Sequence, residues 1–348
     1  MVFFLLSFME ESFECYPVFR IITGNENRKN NENEKFFQKT HKKAVFLQLN
    51  WKIVMKKKEL YGMGVALVTP FMKDGSVDYD ALARLVDYQV ESGTDFLCVL
   101  GTTAETPTLC ADEQLKVRQA VIARNAGRLP ILLGVGGNCT QDIVDKLKND
   151  PMEGVDAILS VVPYYNKPTQ KGMYAHFCAI AEATELPIIL YNVPGRTGVN
   201  MLPDTTLSLA ADCANIVGIK EASGNVEQIK DIMARRPEGF KVFSGDDGIT
   251  LPLIQDGADG VISVIGNGFA AEFAQMVRLA LAGEYGQAKA IDERLRPMYD
   301  LLFLDGNPAG IKALLQLRGM VENVLRLPLV PASNRTIDKI RNAFASIQ

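Results

Sequence analysis

The stretch Ile216-Val217-Gly218-Ile219-Lys220-Glu221-Ala222-Ser223 is an apolar run of strand length that ends in a single amine, with Gly224 and Asn225 marking its exit. Such a run reads as a buried strand carrying Lys220 to its C-terminal tip. A lysine amine with the ordinary pKa of about 10.4 is less than about 1% neutral at pH 7, so it is a poor nucleophile unless desolvation or a nearby cation lowers that value. Apolar walls supply desolvation. An amine so held attacks a ketone and forms a Schiff base, an electron sink for making or breaking a carbon–carbon bond. Pairing of Lys220 with a carboxylate at the strand end accounts for the same residues, and the stretch alone leaves both readings open.

Outward from this run the same pattern repeats. Short apolar, β-branched segments recur at Met63–Thr69, Phe96–Gly101, Ile131–Val135, Ala157–Pro163, Ile188–Val193, Ile216–Lys220, Val242–Ser244 and Gly260–Val264. Between them lie amphipathic stretches such as residues 80–90, with apolar residues at helical spacing. Strand–helix alternation with continuous apolar strands predicts a closed (β/α)8 TIM barrel over residues 55–283. An open doubly wound sheet is the alternative, but its GxGxxG fingerprint is missing after the first strand, where Thr69 runs into Pro70-Phe71. Past Ala282 the strands stop. Residues 284–348 read as a small C-terminal helical domain punctuated by Pro297, Pro308, Pro328 and Pro331.

Residues 1–54 differ in kind. The apolar Val2–Leu6 is too short to span a bilayer, has no basic segment before it and runs into Glu10-Glu11, so it reads neither as a membrane span nor as a signal peptide. Residues 24–43 are rich in Asn, Glu and Lys and poor in apolar groups that would offset the entropy of ordering. The expectation is a disordered or artefactual extension ahead of a functional start at Met55-Lys56-Lys57-Lys58.

Composition narrows the function classes. A chain of 348 residues with 47% hydrophobic and 22% charged residues and a net charge of −4 is an ordinary globular protein, without the basic patch that a polyanion or membrane surface requires. Neither nucleic acid nor membrane is an expected partner. The six cysteines, Cys15, Cys98, Cys110, Cys139, Cys178 and Cys213, form no CxxC pair and read as reduced thiols of a cytoplasmic protein. With only His41 and His176 besides, few ligands exist for a zinc or iron site. His176, between Ala175 and Phe177, reads as a packed or solvated helix residue.

In a barrel of this kind the strand tips supply the active site. Gly101-Thr102-Thr103 offers backbone N–H groups and two hydroxyls to a small carboxylate, although threonines capping the next helix look the same. Tyr164, Tyr165 and Tyr191 are candidate acid–base groups, and Arg196, in a proline- and glycine-bounded loop, is a candidate bidentate partner for a carboxylate. Strand seven ends in Ser244-Gly245-Asp246-Asp247, where the aspartates repel the phosphate that sugar-phosphate barrels bind there. Helix capping is the simpler role for that acidic pair than a magnesium site.

Taken in order, Gly101-Thr102-Thr103, Tyr164-Tyr165-Asn166-Lys167-Pro168, Tyr191-Asn192-Val193-Pro194-Gly195-Arg196-Thr197-Gly198, Gly218-Ile219-Lys220-Glu221-Ala222 and Ser244-Gly245-Asp246-Asp247 closely resemble the dihydrodipicolinate synthase family, from about Met55 to the C-terminus. The resemblance implies condensation of pyruvate with L-aspartate 4-semialdehyde to 4-hydroxy-tetrahydrodipicolinate, in lysine and diaminopimelate biosynthesis, with no cofactor. It implies a Schiff base on Lys220 and a pyruvate carboxylate held by Thr103. Tyr191, Thr102 and Tyr165 would form the proton relay, with Tyr165 coming from a neighbouring subunit. Arg196 would position the relay and bind the semialdehyde carboxylate, Gly245 and Ile262 would line the site through their backbones, and a homotetramer built as a dimer of dimers is implied. Sibling aldolases that act on N-acetylneuraminate or 2-keto-3-deoxy sugar acids share the lysine and Tyr191, whereas Arg196 after Pro194-Gly195 matches the synthase branch.

Two departures stand out. Ala104 occupies a position where the family commonly has glycine, so the turn after Thr103 has to accommodate a Cβ. Ala111, Gln114 and Asp142 stand where lysine-inhibited members carry two histidines and a glutamate, although Asn138 and Tyr164 are retained, so weak or absent inhibition by lysine is expected.

Overall fold

Eight parallel strands close on themselves in sequence order: β1 (Gly62–Ala66), β2 (Phe96–Val99), β3 (Ile131–Gly134), β4 (Ala157–Val161), β5 (Ile188–Asn192), β6 (Ile216–Glu221), β7 (Lys241–Ser244) and β8 (Gly260–Ser263). Pairing of β8 back onto β1, from Gly62 with Gly260 to Val65 with Ser263, completes the (β/α)8 TIM barrel. A computed structural model describes residues 59–347. The expected extension over residues 1–54 and the start at Met55 lie outside them.

All eight predicted strands are present. Several stop short of the residues their apolar runs reach, because the last few leave the ladder to build the tips: β1 ends at Ala66 rather than Thr69, and β2 at Val99, where Leu100 turns with φ +56°. Such a positive φ is uncommon outside glycine and breaks strand geometry at once.

The crossover helices are α1 (Tyr79–Glu91), α2 (Ala111–Asn125), α3 (Thr140–Asn149), α4 (Gln170–Glu182), α5 (Pro203–Asp212), α6 (Val226–Arg235), α7 (Thr250–Gln255) and α8 (Ala270–Leu281). Several starts carry the cap their sequence offers: Asp78 accepts from Ala81 N at 2.8 Å, Thr169 from Gly172 N at 3.2 Å and Asn225 from Gln228 N at 3.2 Å. Each cap satisfies an amide with no partner inside its helix.

Strand alternation divides the core into two layers. Outward residues such as Ile158, Ile188, Leu190, Ile219 and Val261 pack under the helices. Inward residues, among them Phe96, Cys98, Leu159, Ile189, Tyr191 and Phe243, fill the barrel itself. Burial of a side chain such as Phe96 or Phe243 contributes about 2–3 kcal/mol. The barrel is therefore plugged below its tips, and chemistry is confined to the C-terminal rim.

Three further helices follow: α9 (Tyr285–Leu301), α10 (Ala309–Leu317) and α11 (Asn334–Ile347). Pro297 lies inside α9 and does not punctuate it as the sequence suggests. Its ring removes one helical hydrogen bond, but buried Leu295, Met298 and Tyr299 anchor the helix on either side of it, and packing outweighs the local preference. Among the described residues no helix is long and apolar enough to cross a membrane.

Candidate active site

Lys220 arises from β6 and is 5% exposed. Its neighbours in register are Tyr191 on β5 and Phe243 on β7. The Lys220 Nζ lies 4.6 Å from the centroid of the Tyr191 ring, a cation–π distance. Below it the inner layer is apolar, with Phe96 and Phe243 edge to face at 5.6 Å. Burial pushes the Cys98 thiol up to about 11, against the opposing pull of the Lys220 charge, so this thiol stays protonated in the floor of the site. Among the described residues no carboxylate pairs with Lys220; the fully buried lysine that does pair is Lys312, with Glu105.

The turn after β2 is a single 3-10 turn, Thr102–Ala104, closed by Ala104 N–H to Gly101 O at 3.2 Å and Glu105 N–H to Thr102 O at 3.1 Å. Positive φ falls on Leu100 and Glu105, so Ala104 occupies its place without backbone strain. Neither threonine caps α2, whose N-cap is Cys110. Thr103 is buried, and its Oγ1 accepts from Asn307 Nδ2 at 2.9 Å.

A one-turn helix, Pro194–Thr197, carries Arg196 beyond β5, where its Nη2 donates to the Asn307 carbonyl at 3.3 Å. A cavity of ≈ 440 Å³ opens here, with Thr102, Tyr164, Tyr191 and Arg196 in its wall. These four predicted residues are thus brought together. Tyr165 is not: it is 88% exposed, held at φ +72° and absent from the cavity wall. Gly245 sits against Lys220, with its N–H donated to Glu221 O at 2.8 Å, and Ile262 is wholly buried in the inner layer.

The two aspartates after β7 divide their work. Asp246 caps a 3-10 turn by accepting from Gly248 N at 2.9 Å. Asp247 is not a cap: its Oδ2 accepts from Val264 N at 3.1 Å and Ile265 N at 2.8 Å, tying the tip of β7 to that of β8. Burial pushes its carboxyl up to about 6, against those amides. Among the described residues no cluster of three or more His, Cys, Asp or Glu side chains is placed to hold a metal ion. Of the cysteines, Cys98, Cys110, Cys139, Cys178 and Cys213 are free, and Cys15 lies outside the described residues.

Two residues at this site carry no mark in the sequence. Asn307 belongs to an Asn-Pro step that reads only as punctuation. Lys146, in the charged α3, lines the cavity and donates to Gln114 Oε1 at 2.8 Å. Burial holds its pKa below the ordinary lysine value, offset by Asp150.

Comparison with known proteins adds a family. Residues 59–347 match the profile of the dihydrodipicolinate synthetase family. The chain is 61% identical over 287 residues to the 4-hydroxy-tetrahydrodipicolinate synthase of Phocaeicola vulgatus, covering 82% of this chain and 97% of that relative. Among solved structures it is similar to dihydrodipicolinate synthase from Thermotoga maritima, at 42% identity and a TM-score of 0.81, covering 83% of this chain and 98% of that one. It is also similar to the chloride-inhibited synthase from Acinetobacter baumannii complexed with pyruvate, at 40% identity and a TM-score of 0.81, with 83% and 99% covered.

Proposed function

The chain belongs to the dihydrodipicolinate synthetase family, and on that premise we propose that it joins pyruvate to L-aspartate 4-semialdehyde through a Schiff base on Lys220. It is a lyase-class enzyme of lysine and diaminopimelate biosynthesis whose product is 4-hydroxy-tetrahydrodipicolinate. The observation that carries the Lys220 assignment is an amine on an apolar floor with no carboxylate partner among the described residues, in register with Tyr191.

In this reading the Lys220 amine attacks the pyruvate ketone and water leaves, giving an iminium that loses a methyl proton to become an enamine. The enamine carbon attacks the aldehyde, whose oxygen takes up a proton, and the amine of the semialdehyde then attacks the regenerated iminium and expels the Lys220 amine, closing the ring. Tyr191 and Thr102 face the cavity in which those protons move. Thr103 holds the pyruvate carboxylate from the turn, Arg196 holds the carboxylate of the semialdehyde, and Gly245 and Ile262 contribute backbone. The covalent imine is the electron sink, so no cofactor is invoked. Tyr165 completes the relay of a neighbouring subunit in a homotetramer, a role that its 88% exposure supports. A cytoplasmic setting suits the free thiols. Weak inhibition by lysine is supported by Gln114, whose Oε1 already accepts the amine of Lys146.

The test is borohydride trapping with pyruvate and peptide mass mapping, alongside turnover with aspartate 4-semialdehyde. A pyruvyl adduct on Lys220 with turnover is expected. Arg196→Ala should lower kcat/KM for the semialdehyde by roughly 100-fold or more, because its proposed partner is the substrate carboxylate. An adduct without turnover would move the assignment to a sibling aldolase, and no adduct would remove the mechanism.

A further inference from the structure

Lys220 faces into the barrel because β6 contains one irregularity. Ile188 pairs with Ile216 but Ile189 pairs with Gly218, so Val217 has no partner in the ladder. Side chains alternate along a strand, and an extra residue reverses every side chain beyond it. Val217 packs against the inner layer. Regular alternation from there would turn Ile219 inward and Lys220 out beneath the helices. The shift instead buries Ile219 in the outer layer and sets Lys220 opposite Tyr191. Gly218 lets the shift occur: a Cβ there would lie 2.7 Å from Lys241 O and 3.0 Å from Ile189 Cδ1.

A bulge needs something beyond it to hold the new register. One step past Tyr191 and Lys220 the ladder pairs Asn192 with Glu221, both wholly buried on the outer side of the barrel. Asn192 Nδ2 lies 3.1 and 3.2 Å from the two carboxylate oxygens of Glu221. Gln228 Nε2 and Ser223 N each donate to Glu221 at 2.9 Å. Asn192 Oδ1 accepts from Met201 N at 3.0 Å. This carboxylate is thus held by neutral donors from β5, α6 and the β6 exit, and a slip of one residue would strip it of them. Leaving such a group unsatisfied is costly, so the network penalises the unshifted register.

We infer that Asn192 and Glu221 are a positioning pair that locks the bulged register in which Lys220 faces Tyr191. Neither touches the reacting atoms. The inference rests on the Lys220 reading above, and its test is built so that the two fail separately.

The rate of borohydride-trappable pyruvyl adduct is compared in wild type, Glu221→Gln, Asn192→Ser and Tyr191→Phe, and in each of the first two substitutions combined with Tyr191→Phe. Melting curves accompany every variant. Each substitution in the pair should slow adduct formation about tenfold in a folded protein, and by a similar factor once Tyr191 is already Phe, because a slipped register turns Lys220 itself away from the barrel interior. Amide hydrogen exchange should quicken in peptides covering 188–193 and 216–222 and not in β2 or β3. A loss that vanishes once Tyr191 is Phe, exchange that quickens throughout the barrel or nowhere, or loss of folding in both substitutions would overturn the inference. If wild type gives no adduct, the Lys220 reading fails on its own, and the exchange pattern still decides whether the pair holds the register.

Discussion

Asn307 holds Thr103: its side-chain amide donates to Thr103 Oγ1 at 2.9 Å while its backbone carbonyl accepts from Arg196 Nη2 at 3.3 Å. A threonine hydroxyl has one proton, and with a lone pair engaged by Asn307 that proton is left for another acceptor, the role proposed for the pyruvate carboxylate. Asn307→Ala should raise the KM for pyruvate up to about tenfold, the worth of one neutral hydrogen bond. The contact to Arg196 uses the backbone and survives the substitution, so the KM for the semialdehyde should hardly change. Steady-state kinetics with each substrate varied in turn would show the split, and equal rises in both constants would count against this division of labour.

Below the same turn lies the ion pair of Lys312 with Glu105, both fully buried. Lys312 Nζ also donates to Val324 O at 2.9 Å and sits 4.1 Å over the Phe71 ring, while the Arg326 guanidinium stacks on that ring at 4.6 Å and the Arg326 backbone N–H donates to Glu105 Oε2 at 3.1 Å. Burial pushes Lys312 down to about 8, with Glu105 acting in the opposite direction. Removing one partner strands the other. Lys312→Met should cost about 3–5 kcal/mol in urea denaturation, and adding Glu105→Gln should recover most of it. A double variant as unstable as the single one would show that the loss comes from packing around Phe71 instead.

How much of this was legible in the sequence follows from how local each feature is. The strand runs and the lysine at a strand tip depend on neighbours in the chain, and they stand where the pattern put them. Thr102, Tyr164, Tyr191 and Arg196 converge because barrel topology gathers strand tips from anywhere in the sequence. Asn307 and Lys312 were hidden because their meaning depends on partners 204 residues away at Thr103 and in the β2 turn at Glu105. Pro297 misled for a related reason, since its helix is held by burial that local propensity does not register. The place of Lys220 at a strand tip is legible in its apolar run, but the bulge at Val217 that turns it inward leaves no pattern beyond one glycine.

His176 makes the acid side of the stability profile testable. It is buried in α4, its Nδ1 lies 2.8 Å from Thr140 Oγ1, and its Nε2 has no partner. Burial lowers its pKa to about 4. A histidine depressed in the folded state binds its proton more readily when unfolded, so its contribution is complete above about pH 6.5 and is lost as pH falls through about 4. The urea midpoint of wild type should drop across that window by an amount equivalent to about 1–3 kcal/mol. His176→Gln, which stays neutral, should flatten that part of the curve even if its stability at pH 7 is lower. A parallel slope in both proteins would assign the acid sensitivity to other groups.

The last prediction concerns the space around the Lys220 side chain. A Cβ at Gly245 would lie 2.5 Å from Ala222 Cβ, 3.1 Å from Glu221 O and 3.1 Å from Lys220 Cε. The backbone cannot withdraw without breaking the Gly245 N–H to Glu221 O bond of 2.8 Å, which extends the β6–β7 ladder past Ser244. Gly245→Ala should therefore do two separable things: lower stability by about 1–3 kcal/mol through overpacking, and displace the lysine. Adding Ala222→Gly removes the closest contact and leaves the one to Lys220. The double variant should regain most of the melting temperature yet still form the pyruvyl adduct at least about tenfold more slowly than wild type, because small displacements of a positioned group are costly. If the adduct rate recovered together with stability, the glycine would be there for strand packing alone, and the contact with Lys220 Cε would be incidental.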